Sequence, residues 1–390
     1  QIFLQRENTY NCSGRSEKFV IAHHLQKWEH VTMYSRKRRK KMAGIWESQN
    51  KVIPAAYINL VTNTPLSITA GDRGTVALAQ ELSVGDDGAI YRITATEANY
   101  PENATAADKK LANLALLGAK TVLLYKLPPN HTDDHVEAML AKLKTEDANV
   151  IVYPYLKSTT SASTAQQTIA NWVKAMQEEE GKNITAVLTN YVADSQYVIN
   201  NVQGVTLSDG STLTAAETGA WIGGVTAGAK ITESNTARKF VGAIDVTPRM
   251  TKTEMETAIK AGKLILTVDK SQNVTVVADV NSLTSTTQTL GDIMKQNRSV
   301  RTACGIREDI GTVWDSNIKG KYNNNEEGRS IFKSALVEYF ADLERRGAIQ
   351  NFSADDITVE AGTAINAVVV TVAVQLVGSM EIAYITVNLT

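Results

Sequence analysis

The middle of the chain alternates between two spacings of apolar residues. Side chains at helical spacing precede each of three short runs that are almost entirely apolar, at 121–125, 149–153 and 184–188. Strands of this composition are typical of parallel sheets that are buried on both faces. The repeated helix–strand order therefore predicts an α/β domain, with helices on both sides of a parallel sheet. We expect it to span residues 104–282, with 239–244, 264–268 and 274–280 extending the same sheet.

Different patterns flank this region. Residues 63–103 contain short strand-like runs separated by turn residues, including Gly85 and Gly88, and this predicts a small N-terminal β subdomain. Residues 283–379 combine helical and β patterns, which predicts an α+β C-terminal domain. Its clearest element is an amphipathic helix that we expect to end at Gly347. The apolar face of that helix carries Phe332, Leu336, Tyr339, Phe340 and Leu343.

The last segment, 380–390, has the pattern of a half-buried strand. Every odd position from Ala383 to Leu389 is apolar, and the even positions are mixed. Two interpretations fit this pattern. Gly378-Ser379 suits a tight turn, so the segment would fold back as a hairpin. Alternatively, the strand leaves its own body and pairs with a neighbouring molecule by β-augmentation.

A second segment of this kind lies at 52–59. It is short, apolar and extended in pattern, and Pro54 confines it to a sheet edge or to pairing outside its own sheet. Two detachable end strands on a globular body are what a stretchable mesh of subunits requires. The pattern therefore suggests that both ends of the molecule link copies of the chain.

Composition is ordinary for a globular protein, at 43% hydrophobic and 21% charged residues. No apolar run approaches the roughly 20 residues that a membrane-spanning helix needs. Charge, however, is distributed unevenly. Residues 1–41 contain ten Lys or Arg but only three Glu, a net charge of +7, whereas the remainder carries −8.

We interpret residues 1–41 as a translated upstream leader that is not native. The run Arg36-Lys37-Arg38-Arg39-Lys40-Lys41 is what a purine-rich ribosome-binding sequence and its spacer give when read in frame, and Met42 follows it. The alternative is a basic arm that binds nucleic acid or a membrane surface. On the first interpretation Cys304 is the single native cysteine, so no internal disulfide is expected.

Residues with catalytic potential are few. His131 and His135 have the i, i+4 spacing of helical metal ligands, but the preceding Pro128-Pro129 and the acidic Asp133 favour a solvated helix N-terminus. No Gly-x-Ser-x-Gly elbow is present. The glycines between 219 and 228 lack the dinucleotide-binding spacing, so close helix packing explains them better than phosphate binding. We expect Cys304 to be a small buried residue.

Both ends of the chain resemble phage tail sheath proteins of the type carried by Gram-positive myophages and clostridial phage-tail-like bacteriocins. The resemblance begins at Met42-Ala43-Gly44-Ile45-Trp46 and closes with Tyr384-Ile385-Thr386-Val387-Asn388-Leu389. The segment 219–228 also fits a helix that recurs in sheath proteins. No single motif is diagnostic, but the matching segments occur in the same order as in the family and together extend across nearly all of residues 42–390.

The resemblance implies a subtilisin-like α/β domain without catalytic duty, a C-terminal domain that faces the tail tube, and extended terminal arms at 42–62 and 380–390. It implies no catalytic residue, no metal and no cofactor. The expected partners are other copies in stacked hexameric rings, the tail tube protein, and baseplate and tail terminator proteins, with no nucleic acid and no membrane. The particle would be a virion or phage-tail-like bacteriocin, assembled in the cytoplasm of the bacterial host.

The residues expected to matter fall into three groups. The N-terminal arm would link subunits through Val52, Ile53, Tyr57 and Ile58, and the C-terminal arm through Tyr384, Ile385, Val387 and Leu389. Lys319, Lys321 and Arg329 are candidates for contacting the tube. Two other functions stay open at this point. These are a subtilisin-like hydrolase and a non-contractile module that binds a cell surface.

Overall fold

The computed structural model describes residues 74–95, 98–156, 160–287 and 290–387. The expected leader and the N-terminal arm, including Val52, Ile53, Tyr57 and Ile58, lie outside the described residues, as does Leu389. None of the described helices is long and apolar enough to cross a membrane.

The described part of the chain folds into seven α-helices and sixteen strands, several of them very short. The helices are α1 (Ala106–Ala115), α2 (Asp133–Leu143), α3 (Thr160–Glu178), α4 (Ala215–Gly228), α5 (Lys252–Lys260), α6 (Asn297–Val313) and α7 (Glu326–Arg345). The strands are β1 (Thr75–Glu81), β2 (Ile90–Thr94), β3 (Thr121–Leu127), β4 (Val150–Val152), β5 (Thr185–Thr189), β6 (Val198–Asn201), β7 (Gly204–Leu207), β8 (Thr212–Leu213), β9 (Ala243–Thr247), β10 (Lys263–Leu264), β11 (Leu266–Val268), β12 (Val274–Val276), β13 (Ile349–Gln350), β14 (Ile357–Ala361), β15 (Val368–Val372) and β16 (Gln375–Leu376).

The largest sheet has seven strands in the order β10-β6-β5-β4-β1-β3-β2. All neighbours are parallel except β2, which runs antiparallel to β3 at the edge. Helices α1 and α4 cover one face, and α2 and α3 cover the other. Alternate residues of β1 accordingly face the two cores, with Leu78 on the first side and Ala77 on the second. The predicted parallel sheet between two helical layers is confirmed.

The prediction of a separate small β subdomain at 63–103 is wrong for the described part of that segment. Strand β1 lies near the middle of the seven-stranded sheet, between β4 and β3, and β2 extends the same sheet. The physical reason lies in β1 itself, where residues 76–80 are all buried. A strand apolar on both faces needs helices on both sides, and only the main sheet provides them.

The prediction that 239–244, 264–268 and 274–280 extend this sheet holds only for Leu264, which lies in β10. Strand β9 joins a separate three-stranded sheet, β8-β7-β9, and β11 pairs with β12. Only Ala243 and Val246 of the five residues of β9 are buried, so this strand lacks the two apolar faces of the central strands. A half-exposed strand of this kind is stable in a small sheet that faces solvent on one side.

Three helices begin with the same local arrangement. The side chain of a threonine just before the helix accepts a hydrogen bond from the backbone N–H three residues later. The acidic side chain at that later position accepts a hydrogen bond from the backbone N–H of the threonine. The pairs are Thr105 with Asp108, Thr214 with Glu217, and Thr251 with Glu254. Burial raises the pKa of Asp108, but hydrogen bonds from Ser83 and Thr105 outweigh this and hold that pKa far below its usual range.

The C-terminal region has its own core around α6, α7 and short strands. The five apolar residues predicted for one face of a helix are all buried on α7. The helix ends at Arg345, and Gly347 follows with a positive φ of 73°. Strand β13 pairs with β16, and β14 with β15, so the strands here form two-stranded sheets. The predicted α+β character of this region is therefore present.

Candidate assembly surfaces

The C-terminal segment leaves the body after β16. The last backbone bond of the ladder runs from the Val377 N–H to the Ala348 carbonyl, at 3.1 Å. From Gly378 to Val387 no residue is in a helix or a strand. The hairpin interpretation is therefore wrong for these described residues. Turn chemistry at Gly378-Ser379 permits a hairpin, but residues 380–387 do not pair with the strand before the turn.

Large apolar side chains on this segment are exposed. Tyr384 is 95% exposed, Ile385 81% and Val387 72%. Isolated exposed apolar residues are ordinary, but a contiguous run of them marks an interaction site. Because the backbone of the same run makes no ladder bonds, both its side chains and its main chain are free to join another sheet.

The three residues predicted to contact the tube lie in the segment between α6 and α7 and in the first turn of α7. Lys319 forms an ion pair with Asp315 at 3.1 Å, and Lys321 donates to the carbonyl of Ser316. Arg329 donates to the main-chain and side-chain oxygens of Asn324, at 3.1 and 2.9 Å, and so holds the end of the loop that precedes α7.

Lys319 and Arg329 also line a pocket of about 530 Å³. Its apolar lining includes the rings of Trp314 and Phe332, whose centroids are 5.4 Å apart. Ile365 forms another part of the rim and is almost fully exposed. The region therefore combines two basic side chains, one of them paired with Asp315, with accessible apolar surface.

His131 and His135 do not form a metal site. His131 is buried, with Nδ1 2.7 Å from Glu81 Oε1 and Nε2 2.7 Å from the Tyr153 hydroxyl. His135 is exposed, and its Nδ1 accepts from the Thr132 N–H at the start of α2. The expected solvated helix terminus thus holds for His135 and is wrong for His131. No cluster of metal-binding side chains occurs among the described residues.

Burial raises the pKa of the Tyr153 hydroxyl, and the nearby carboxylates of Asp133 and Glu81 raise it further. The Tyr153 hydroxyl therefore stays protonated, and it forms a hydrogen bond with Nε2 of His131. This arrangement stabilises the ends of β1 and β4 by satisfying buried polar atoms. Cys304 is buried, as expected, beside the Gln177 side chain.

The glycines of α4 serve packing, as the sequence predicted. A Cβ atom on Gly224 would clash with the carbonyl of Ala115, and one on Gly228 would clash with the carbonyl of Gly118. A Cβ on Gly223 would clash with Val152 of the sheet. Helix α4 is thus wedged between α1 and the sheet at a separation that only glycine allows.

Two family models together cover most of the described chain. The phage tail sheath protein central domain matches residues 130–282, and the phage tail sheath C-terminal domain matches residues 290–390. The chain belongs to the phage tail sheath protein family. This family is structural, so the hydrolase alternative is wrong and the chain is not an enzyme.

Similar proteins agree with this membership. The tail sheath protein of Clostridium phage phiCD119 is 26% identical over 279 residues, covering 69% of this chain and 76% of that protein. The sheath tail protein from Desulfitobacterium hafniense has 26% identity and a TM-score of 0.73, covering 84% and 98% of the two chains. The contracted helical sheath of the anti-feeding prophage shares the fold, at 16% identity and a TM-score of 0.62, covering 87% and 99%.

Proposed function

We propose that this sheath protein polymerises around a tail tube through exchanged terminal strands, and that the polymer contracts to drive the tube through a target cell envelope. The observation that carries the proposal is the exposed apolar run 382–387 beyond the last ladder bond of the body. Tail sheath and helical sheath proteins are its relatives, and a linking strand gives such a polymer its continuity.

Energetics favour transfer of this run to a neighbour. Burying one large apolar side chain contributes about 1.5–3 kcal/mol, and Tyr384, Ile385 and Val387 are all exposed in the isolated chain. The two-stranded sheets β13–β16 and β14–β15 could each accept such a strand from a neighbouring subunit. A two-stranded sheet is only marginally stable by itself, and adding a strand stabilises it. Five further residues would complete the same linkage: Leu389 of the C-terminal arm, and Val52, Ile53, Tyr57 and Ile58 of the N-terminal arm.

The remaining parts of the molecule take roles consistent with this linkage. In our proposal the α/β region, 104–282, is a subtilisin-like rigid body without catalytic duty. The C-terminal region, 283–379, faces the tube. Hexameric rings would stack into the sheath and end at baseplate and terminator proteins, in a phage or bacteriocin particle assembled in the host cytoplasm. Contraction would be rigid-body sliding and rotation of subunits while the arms hold.

A charge placed in the arm tests the proposal. Wild-type protein is expected to form rings or hollow tubes at high concentration in negative-stain micrographs. Val387→Asp should prevent them, because an aspartate cannot enter a dry strand interface without desolvating its charge. The matched control is Val241→Asp, since Val241 is 74% exposed on the body, close to the 72% of Val387. Tubes formed equally by both variants, or a stable monomer in the wild type, would contradict strand exchange.

Tube binding should depend on charge and salt. Changing Lys319 and Lys321 together to Gln is expected to weaken co-sedimentation with acidic tail tubes and to flatten its dependence on salt, because exposed charges are screened within about 8 Å at 0.15 M. Lys252 and Lys260, which are exposed on α5, provide the matched double change. An unchanged salt dependence in the first variant would place the tube contact elsewhere.

A further inference from the structure

The start of the C-terminal arm is held against the body by side chains. One oxygen of Glu381, Oε1, accepts hydrogen bonds from the hydroxyls of Ser234 at 3.0 Å and Thr236 at 2.9 Å. Two residues earlier, the Ser379 hydroxyl is 2.7 Å from Nη1 of Arg298, which donates to it. The arm therefore leaves the body from two fixed points, although the residues beyond Glu381 are exposed.

The groups that hold the arm are themselves fixed. Ser234 Oγ accepts from the Thr236 N–H at 3.1 Å, and Thr236 Oγ1 accepts from the Asp279 N–H at 2.9 Å. Each hydroxyl thus accepts one hydrogen bond from the body. Thr236 donates its proton to Glu381, and the Ser234 hydroxyl lies within donating distance of both Glu381 Oε1 and Thr236 Oγ1, at 3.0 and 3.1 Å. Arg298 also donates to the Gly347 carbonyl at 3.2 Å. Burial lowers the pKa of Arg298, and the charge of Glu381 acts against this.

This anchor joins the two matched domains. Ser234, Thr236 and Asp279 belong to the central domain, whereas Arg298 and Glu381 belong to the C-terminal domain. Asp279 also accepts from the Asn235 N–H and the Asn297 side chain, at 2.9 and 2.8 Å, so the loop that holds Asn235 and the first residue of α6 share one carboxylate. The direction in which the arm leaves is therefore tied to the geometry between the domains.

We propose that Glu381, held by Ser234 and Thr236 and supported by Arg298, positions the C-terminal arm for pairing with a neighbouring subunit. This inference rests on the proposed strand exchange. An arm that leaves at a fixed point and in a fixed direction samples fewer conformations, so less entropy is lost when it pairs. The four side chains are positioning residues, because they act through the arm and do not enter the neighbour's sheet.

The direction of the arm is measured in the monomer. Spin labels at Ala383→Cys and Lys260→Cys, in a chain whose Cys12 and Cys304 are changed to Ala, report the distance between the arm and the exposed end of α5. Glu381→Ala, and separately Ser234→Ala with Thr236→Ala, should broaden the distance distribution while the melting temperature falls by no more than about 3 °C. Glu137→Ala, on the exposed face of α2, should not. An equally narrow distribution in the anchor variants would overturn the proposal.

Assembly is measured with the same variants without labels. The concentration at which tubes appear should rise on the order of fivefold in Glu381→Ala, because the loss of charge-assisted hydrogen bonds at an exposed site is a modest effect. Assembly like wild type in that variant would overturn the positioning role while leaving strand exchange intact. Assembly like wild type in a chain lacking the arm would instead defeat the proposed function itself.

Discussion

Removing residues 380–390 is expected to leave the purified chain folded and soluble but unable to form tubes. The body makes its last ladder bond at Val377, so the deletion removes no strand from its sheets. What it removes is the exposed run that includes Tyr384, Ile385 and Val387. If those residues form the link between subunits, no other described segment offers a comparable run of exposed apolar side chains to replace them.

Stability and assembly should separate cleanly in this experiment. The deletion takes from the body the hydrogen bonds that Glu381 accepts from Ser234 and Thr236, and these lie at the surface. The melting temperature should therefore fall by no more than about 3 °C, since about 1 kcal/mol shifts a domain of 150–250 residues by 2–4 °C. Calorimetry measures the melting temperature, and negative-stain microscopy with sedimentation measures assembly.

A chain in which 380–390 is replaced by a Gly-Ser segment of equal length is the control for bulk. It should behave like the truncated chain, because a polar flexible segment keeps the length but supplies neither apolar side chains nor strand propensity. Tubes formed at normal concentration by the truncated chain would refute the role of the arm. Tubes formed only by the Gly-Ser chain would show that length, and not the apolar pattern, matters.

The sequence predicted the strands of the sheet correctly where both of their faces are buried. Strands β3, β4 and β5 are apolar on both faces and alternate with amphipathic helices, and this pattern has few structural solutions. The order of strands was less accessible. Strand β1 lies between β4 and β3 although turn residues separate it from them along the chain, because pairing is decided by packing between distant segments.

The arm shows the same limit at the candidate site. Its period-2 pattern predicts a strand, but pattern does not reveal the partner, and a local turn signal at Gly378-Ser379 favoured the hairpin. The anchor was missed altogether. Ser234 and Glu381 are 147 positions apart, and single polar residues in loops carry no periodic signal. Their meeting depends on the junction of two domains, which only the folded chain brings together.

Substituting alanine for Gly224 is expected to destabilise the α/β domain by about 3 kcal/mol or more. A Cβ at this position would clash with the carbonyl of Ala115, and backbone cannot move aside as a flexible side chain does. Relief requires α4 to move away from α1, which loosens the layer in which Trp221 stacks on Phe240 at 4.2 Å. Calorimetry and urea unfolding followed by tryptophan fluorescence measure the loss.

Gly311 provides the matched control, because it also lies within a helix, α6, but a Cβ there would meet nothing within 4 Å. Alanine is favoured over glycine in a helix by about 1 kcal/mol, so Gly311→Ala should be neutral or stabilising. The same substitution is thus expected to act in opposite directions at two helical sites, and only the neighbouring backbone differs. A Gly224→Ala chain as stable as wild type would mean that α4 and α1 do not approach so closely. Close packing would then not explain the glycines, and the phosphate-binding interpretation would have to be considered again.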